Sequence, residues 1–243
     1  MTLVFQDDFV ETTTTALTSH TPDTGTSWVE QFNDAANGAV INNNSADDAR
    51  PSSNASNAAI VMITNPAPTE ADVDVQLVTK DFASGGTGPF GVVARYQDDD
   101  NYLALGTVIK FLNPDMFLVE CIEGTRTAIA SYDAGTDDGH AIKLEVVGTN
   151  ARAYMDTGSG FFALGVAIPV ADDVVGDAGM FWGNALHVAT YDIINNKLVE
   201  SFQLDEFASA GGGGWTGTIN GVTNPTHVNG IAVADITSIN GVA

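Results

Sequence analysis

Three acidic residues in one short segment are the strongest catalytic candidates in this sequence. Glu70, Asp72 and Asp74 alternate with Ala71 and Val73, so on a β-strand all three would project from the same face. A retaining glycosidase needs two carboxylates placed in this way. Acidic residues on the solvent face of a strand explain the pattern more simply, and no tryptophan-rich segment precedes it. We therefore predict surface carboxylates and no catalytic residues.

Nucleophilic and transition-metal sites find little support. The histidines, His20, His140, His187 and His227, stand at no metal-ligating spacing, and there is no Gly-x-Ser-x-Gly motif. Cys121 is the only cysteine, so no intrachain disulfide can form. Because it lies within an apolar run, we expect a buried and unreactive thiol.

Hydrophobic alternation with a period of two predicts the elements that must carry these residues. Apolar and polar residues alternate over 72–77 and over 142–146, which gives each stretch one apolar face. The fully apolar runs at 59–63 and 91–94 suit strands that are covered on both faces. The sequence predicts about fourteen strands, near residues 2–6, 27–32, 38–42, 58–64, 72–80, 90–97, 101–112, 116–123, 126–132, 140–148, 151–156, 161–166, 178–183 and 198–207.

The spacing of these strands and the composition predict one fold class. Thr, Asn, Asp, Ser and Gly dominate the polar residues, and there is no good amphipathic helix. Apolar residues make up 44% of the chain, which excludes a wholly disordered protein. We predict an all-β, two-sheet antiparallel jelly-roll sandwich over residues 1–209, with a C-terminal extended arm over residues 210–243.

The C-terminal segment has a different character. Four glycines at 211–214 form a flexible hinge by composition, and an Ile/Val-Asn-Gly-Val/Ile unit then occurs three times. Asn-Gly between β-branched residues predicts two-residue hairpin turns. The segment is either a frayed tail or an arm that becomes ordered against a partner or another copy of the chain; we favour the arm. Its candidate attachment residues are Trp215, Ile219, Val222, Val228, Ile231, Ile239 and Val242.

Charge limits the range of partners. Eight basic residues against 31 acidic ones give a formal charge of −23. We expect no nucleic-acid partner, because phosphate binding requires clustered Lys and Arg. An anionic membrane surface is disfavoured for the same reason, and no apolar stretch approaches the roughly 18 residues of a membrane helix.

Seven segments of the sequence form an ordered series. They are Phe5-Gln-Asp-Asp-Phe9, His20-Thr-Pro-Asp-Thr-Gly-Thr-Ser-Trp28, Gly91-Val-Val-Ala-Arg-Tyr96, Asp100-Asn-Tyr-Leu103, His140 to Asp156, Asp177-Ala-Gly-Met-Phe181 and Phe202-Gln-Leu-Asp-Glu-Phe207. Taken in this order, they resemble the concanavalin A-like lectin/glucanase superfamily, in particular LamG-like jelly-roll domains of phage and environmental bacterial proteins. The resemblance covers roughly residues 1–207, and the arm is similar to Ile-Asn-Gly-Val segments of phage structural proteins.

The resemblance implies two kinds of binding site. In this superfamily the first and last strands often adjoin and hold Ca²⁺ nearby, which makes Asp7 and Asp205 candidate ligands; solvated edge carboxylates are the alternative. Glycan binding would use exposed aromatic faces. We expect those of Tyr96, Tyr102, Tyr154 and Trp182, although aromatic residues of β proteins lie more often in the core.

Together these features predict a non-enzymatic virion structural protein, such as a capsid decoration, head fibre or tail component, whose lectin-like domain binds glycans. Its partners would be other virion proteins and copies of itself. The N-terminus has no basic region followed by a long apolar run, so we expect no signal peptide, and lysis would supply the exit route. The alternatives are a carbohydrate-binding module of a bacterial surface protein and, third, a glucanase-like enzyme.

Overall fold

Alternating apolar residues build the strands of two facing antiparallel sheets. The structure, a computed structural model, describes residues 1–33, 38–42, 48–51, 59–80, 89–107, 116–134, 136, 138–171, 175–183 and 198–207, and four dipeptides at 218–219, 222–223, 227–228 and 231–232. The strands up to residue 207 are β1 (Thr2–Asp7), β2 (Thr15–Ala16), β3 (Ser27–Asn33), β4 (Ala39–Asn42), β5 (Asp48–Pro51), β6 (Ala59–Asn65), β7 (Val73–Lys80), β8 (Phe90–Asp98), β9 (Asn101–Thr107), β10 (Met116–Ile122), β11 (Thr125–Tyr132), β12 (Ala141–Val147), β13 (Asn150–Asp156), β14 (Phe162–Ala163), β15 (Ile168–Pro169), β16 (Asp177–Gly183) and β17 (Leu198–Glu206).

The two sheets form a jelly-roll sandwich, which confirms the predicted fold class. The first sheet, called sheet A, has the order β14-β13-β12-β7-β17-β5-β4-β2, with β1 paired to β17 and β15 paired to β13. The second, called sheet B, has the order β11-β10-β9-β8-β16-β6-β3. Every pairing in both sheets is antiparallel. The first strand and the last long strand therefore adjoin, as the resemblance implied.

Each of the fourteen predicted strands coincides with a strand of the structure to within a few residues. The end of the stretch predicted over 101–112 lies outside the described residues. The prediction missed β2, β5 and β15. These strands have two to four residues, which is too short for an alternating pattern to stand out from the surrounding loops.

The main core lies between the sheets. Val73, Val75 and Leu77 of β7 point into it, beside Ile142 and its apolar neighbours on β12, as their alternation predicted. Aromatic rings fill one end of the core, where Phe5 and Phe202 pack edge-on against Trp28. Sheet A therefore has one buried apolar face and one face that carries polar side chains.

Sheet B is apolar on both faces. Its inner residues belong to the main core, while Val61, Val93 and Phe181 belong to a second cluster of buried residues on its outer face. This agrees with the prediction that the apolar runs at 59–63 and 91–94 form strands covered on both sides. Cys121 lies in the same outer cluster, and the prediction that its thiol is buried is confirmed.

Two small hairpins lie in the C-terminal segment. Their strands are β18 (Thr218–Ile219) with β19 (Val222–Thr223), and β20 (His227–Val228) with β21 (Ile231–Ala232). Both hairpins enclose an Asn-Gly pair, as predicted for the first two of the three units. The remaining candidate arm residues, Trp215, Ile239 and Val242, lie outside the described residues, so the prediction of an attachment arm stays a prediction.

No described helix is long and apolar enough to span a membrane.

Candidate functional site

The polar face of sheet A gathers side chains from strands that are far apart in the sequence. Antiparallel pairing places Gln6 opposite Gln203, Gln203 opposite Gln76, Gln76 opposite Lys143, and Lys143 opposite Tyr154. Because the core residues of these strands occupy the alternate positions, this cross-strand row faces outward. It presents three side-chain amides in succession.

The next row along the strands has short side chains. Ser201 pairs with Val78, Val78 with Ala141, and Ala141 with Asp156. The small residues leave a hollow beside the row of amides, a cavity of about 220 Å³. We call it the sheet A groove. Its described lining residues are Gln6, Asp8, Gln76, Leu77, Val78, Ala141, Asp156, Phe161, Ser201, Phe202 and Gln203.

A tight turn after β13 supplies the aromatic wall of the groove. Asp156 Oδ1 accepts hydrogen bonds from the backbone N–H groups of Gly158, Ser159 and Gly160, at 2.7, 2.9 and 2.9 Å. The turn is followed by Phe161, which lines the groove and is 38% exposed, and by Phe162, which is 47% exposed. The hydrogen bonds, first of all that from Gly158, hold the pKa of the Asp156 carboxyl below its usual range.

Lys143 contacts this wall. Its Nζ lies 2.9 Å from Asp74 Oδ2, 4.6 Å from the centre of the Tyr154 ring and 4.8 Å from the centre of the Phe161 ring. The ammonium group is thus held by a carboxylate and two aromatic faces. Tyr154 in turn donates a hydrogen bond to Glu145 Oε1 at 2.9 Å.

The groove combines an apolar wall with groups that donate and accept hydrogen bonds. Gln203 donates to Asp205 Oδ2 at 2.6 Å, which fixes the orientation of its amide. Gln6, Gln76 and Ser201 add donors and acceptors beside it, and the exposed Asp8 carboxylate adds acceptors at the rim. An aromatic face opposite amides suits a small ring with one apolar face and several hydroxyl groups.

Three of the four predicted sugar-binding aromatic residues are buried. Tyr96, Tyr102 and Trp182 are no more than 4% exposed, so they present no open ring face to solvent. Trp182 packs in the main core, while the two tyrosines stack on each other on the outer face of sheet B. Tyr154 is half-buried on the polar face of sheet A, next to the groove and in contact with Lys143, but it is not among the described lining residues.

The structure does not bring the predicted calcium pair, Asp7 and Asp205, together. Register places Asp7 opposite Phe202 and Asp205 opposite Leu3, so the two residues lie at different levels of the β1–β17 pair. Asp7 points into the aromatic end of the core, and Asp205 lies on the opposite face of the sheet, beside Gln203. Strand adjacency was inferred correctly, but side-chain direction separates the two carboxylates.

The surroundings of Asp7 do not fit a metal ion. Its Oδ1 accepts hydrogen bonds from the Phe9 N–H at 2.8 Å and from His20 Nε2 at 2.9 Å, and its Oδ2 accepts one from Trp28 Nε1 at 2.6 Å. His20 Nδ1 lies 2.7 Å from Glu11 Oε1. With both carboxylate oxygens already bonded to N–H groups, Asp7 is a structural acceptor. Nowhere in the described ranges do three or more metal-ligating side chains cluster in a way that could hold an ion.

The segment with the candidate catalytic carboxylates is not a cleft strand. Glu70 and Asp72 precede β7, and only Asp74 lies within it. Asp72 Oδ1 accepts the Gly148 N–H at 2.7 Å and lies 3.6 Å from Arg95 Nη2. The prediction that all three are surface carboxylates is wrong for Asp74, which is buried against Lys143. Burial raises the pKa of the Asp74 carboxyl, against the opposing effect of Lys143.

The groove residues themselves were not predicted. Gln6, Gln76 and Gln203 are ordinary outward positions of three separate strands, and only the register of the sheet brings them together. The sequence held one local signal for the groove, the two adjacent aromatic residues that follow the Asp-Thr-Gly-Ser-Gly turn at 156–160. Two adjacent aromatic side chains at the end of a turn are harder to bury together than two at alternate positions of a strand, so exposure of a ring could have been expected here.

Comparison with known proteins finds similarity of fold only. No protein-family model and no curated protein matches the chain. The exoplasmic/lumenal domain of VIP36 in its metal-free form superposes with a TM-score of 0.51 at 11% identity, over 80% of this chain and 91% of that one. Its Ca²⁺/Man2-bound form gives a TM-score of 0.51 at 11% identity, over 80% and 88%. The carbohydrate binding module CBM66 from Bacillus subtilis gives a TM-score of 0.46 at 16% identity, over 72% and 91%. The chain therefore shares the fold of the VIP36 domain.

Proposed function

We propose that the sandwich is a non-catalytic carbohydrate-binding domain and that the sheet A groove holds a sugar ring. The observation that carries the proposal is the hollow between the exposed Phe161 ring and the row of amides of Gln6, Gln203 and Gln76. At about 220 Å³ the hollow is smaller than the roughly 300 Å³ and more of pockets for drug-sized ligands, so it suits one sugar residue of a longer chain. The VIP36 domain of the same fold has been solved bound to Ca²⁺ and Man2.

The carboxylates of the groove argue against glycoside hydrolysis. A general acid must hold a proton at the working pH, which requires a raised pKa. The pKa of Asp156 is instead lowered by the N–H groups of its turn. Asp8 lies exposed at the rim of the groove. Asp156 is therefore not suited to be the protonated partner of a catalytic pair.

Glycan-array screening followed by calorimetric titration would test the proposal. We expect the wild type to bind at least one oligosaccharide without shortening it, and Phe161→Ala to weaken that binding by about tenfold or more, since buried aromatic contacts dominate binding energies. Phe162→Ala is the matched control, because Phe162 is the neighbouring exposed ring and does not line the groove. Equal losses in both variants, or no bound glycan, would overturn the proposal; release of reducing sugar would overturn its non-catalytic part.

We further propose that this domain is displayed on a virus particle, as a capsid decoration, head fibre or tail component. Support comes from the sequence resemblance and from the two tandem hairpins at 218–232, which are too small to be stable alone and need a partner surface. Mass spectrometry of purified particles tests the placement. Finding the chain there at stoichiometric amounts supports it, whereas recovery only from a bacterial surface fraction would favour a module of a bacterial surface protein.

A further inference from the structure

We propose that the sheet A groove selects sugar residues that carry no negative charge and rejects uronic acids and sulfated sugars. The inference rests on the proposed carbohydrate-binding function and specifies its ligand class. Among the described residues that line the groove, the ionisable side chains are Asp8 and Asp156, and none is Lys, Arg or His. An anionic sugar would thus face two carboxylates and no cation.

The basic side chains on this face of sheet A, Lys143 and Arg152, do not line the groove. Lys143 Nζ is bonded to Asp74 Oδ2 at 2.9 Å and lies 4.8 Å from the centre of the Phe161 ring, and the side chain is only 15% exposed. Arg152 pairs with Glu145 and Lys143 pairs with Tyr154, so Arg152 lies one cross-strand row further from the groove. Lys143 cannot turn into the groove without giving up its bond to Asp74.

The loss of hydration on binding strengthens the preference for neutral over anionic sugars. A sugar carboxylate or sulfate that enters the hollow exchanges water for Phe161, Val78 and Ala141 on one side, and a charged group gains nothing there to offset its lost hydration. The repulsion from Asp8 and Asp156 adds to this cost. At longer range the formal charge of −23 slows the approach of any polyanion, an effect that salt screens.

The same groups favour hydroxyl-rich rings. The Asp8 carboxylate lies exposed at the rim, where its two oxygens can accept from neighbouring hydroxyl groups of a ligand. The amides of Gln6 and Gln76 can each both donate and accept. A neutral ring therefore satisfies the polar side of the groove, while its C–H face covers Phe161.

A matched pair of ligands tests the inference. The neutral oligosaccharide that binds best would be compared with the same oligosaccharide after its primary hydroxyl groups have been oxidised to carboxylates, using calorimetry at low and at high salt. We expect oxidation to weaken binding by about tenfold or more at low salt. Asp8→Asn should reduce the difference in affinity between the neutral and the oxidised oligosaccharide. Glu30→Gln makes the same change in charge on an exposed residue of sheet B and should leave that difference unchanged.

The outcomes separate the two proposals. Equal or tighter binding of the oxidised form by the wild type would overturn the charge selectivity and leave carbohydrate binding intact. If Asp8→Asn and Glu30→Gln reduced the affinity difference between the neutral and the oxidised oligosaccharide equally, the selectivity would come from net charge. That result would overturn the role of the groove. Binding of neither form would overturn the proposed function and this inference with it.

Discussion

At the scale of single residues, the network around Asp7 shows how one buried carboxylate organises the aromatic end of the core. His20 lies between two carboxylates, and both of its ring nitrogens must donate to satisfy Asp7 and Glu11, which requires the imidazolium form. Burial lowers the pKa of His20, but the hydrogen bond to Glu11 and the charge of Asp7 outweigh it, so the pKa is raised above its ordinary value of 6.5.

A pH dependence of stability follows from this network. A folded pKa above the unfolded one means that the stabilisation by protonated His20 is complete below about pH 6.5 and is lost as the pH rises through the folded pKa. The contribution of Asp7 to stability also decreases as the pH rises, because burial raises the pKa of its carboxyl above 3.8. We expect the melting temperature to fall as the pH rises above 6.5. His20→Gln should flatten this fall, and His140→Gln, outside the network, should not. Parallel curves for wild type and His20→Gln would refute the assignment.

The residues that build this network could not be identified from sequence. Asp7 stood out only as an acidic residue at a strand end, which fits a metal ligand as well as a structural acceptor. Its partners His20 and Trp28 lie 13 and 21 residues away and reach it through a loop and through the other sheet. Local patterns give the direction of a side chain on its own strand, but they do not say what lies opposite.

At the scale of elements, the paired strands β7 and β12 are joined by a buried ion pair. Its effect on the free energy of unfolding depends on whether one partner or both are replaced. Asp74 and Lys143 are 5% and 15% exposed in their side chains, at an Nζ–Oδ2 distance of 2.9 Å. We expect Lys143→Met to lower the free energy of unfolding by about 3 kcal/mol, because it leaves a buried carboxylate without its cation. The double variant Lys143→Met/Asp74→Leu should return to within about 1 kcal/mol of the wild type, since apolar side chains can replace a buried pair.

Urea unfolding measures these differences, and a neighbouring ion pair supplies the control. Lys80 and Glu200 join β7 to β17 at 3.4 Å, with side chains that are 26% and 43% exposed. Because water screens that pair, Lys80→Met should cost less than about 1 kcal/mol. A double variant as unstable as Lys143→Met alone would show that the ion pair itself, and not the orphaned Asp74, controls stability.

The strands could be predicted from the sequence because their signal is local, whereas the groove depends on contacts between distant segments. Alternation is a property of each strand and is visible in a window of a few residues, so the polar faces of β7, β12 and β17 followed from the sequence. The groove depends on the order and register of β1, β17, β7 and β12 within one sheet, and these strands come from opposite ends of the chain. Tyr96, Tyr102 and Trp182 were misplaced because sheet B has apolar residues on both faces, which leaves no exposed side for them.

At the scale of the whole molecule, the sandwich and the C-terminal segment differ in how they can be stable. The sandwich encloses its own aliphatic and aromatic core between two large sheets. The hairpins β18–β19 and β20–β21 have two residues per strand, and no hairpin of that size is stable alone in water. Their edges are templates for pairing with another chain, which is the physical basis for proposing residues 210–243 as an attachment or oligomerisation arm.

A chain that ends at Ala210 provides the test of that arm. We expect it to keep the melting temperature and the glycan affinity of the full chain, because the sandwich and its groove lie within residues 1–207. It should lose self-association, or incorporation into particles, because ordering the arm costs about 1 kcal/mol or more per residue and only extensive contacts offset that cost. Sedimentation at several protein concentrations would compare the two chains, with a third that carries residues 211–243 in scrambled order as the control for length and composition. Oligomers that survive the truncation, or that form equally with the scrambled arm, would place the interface on the sandwich and not on the Asn-Gly hairpins.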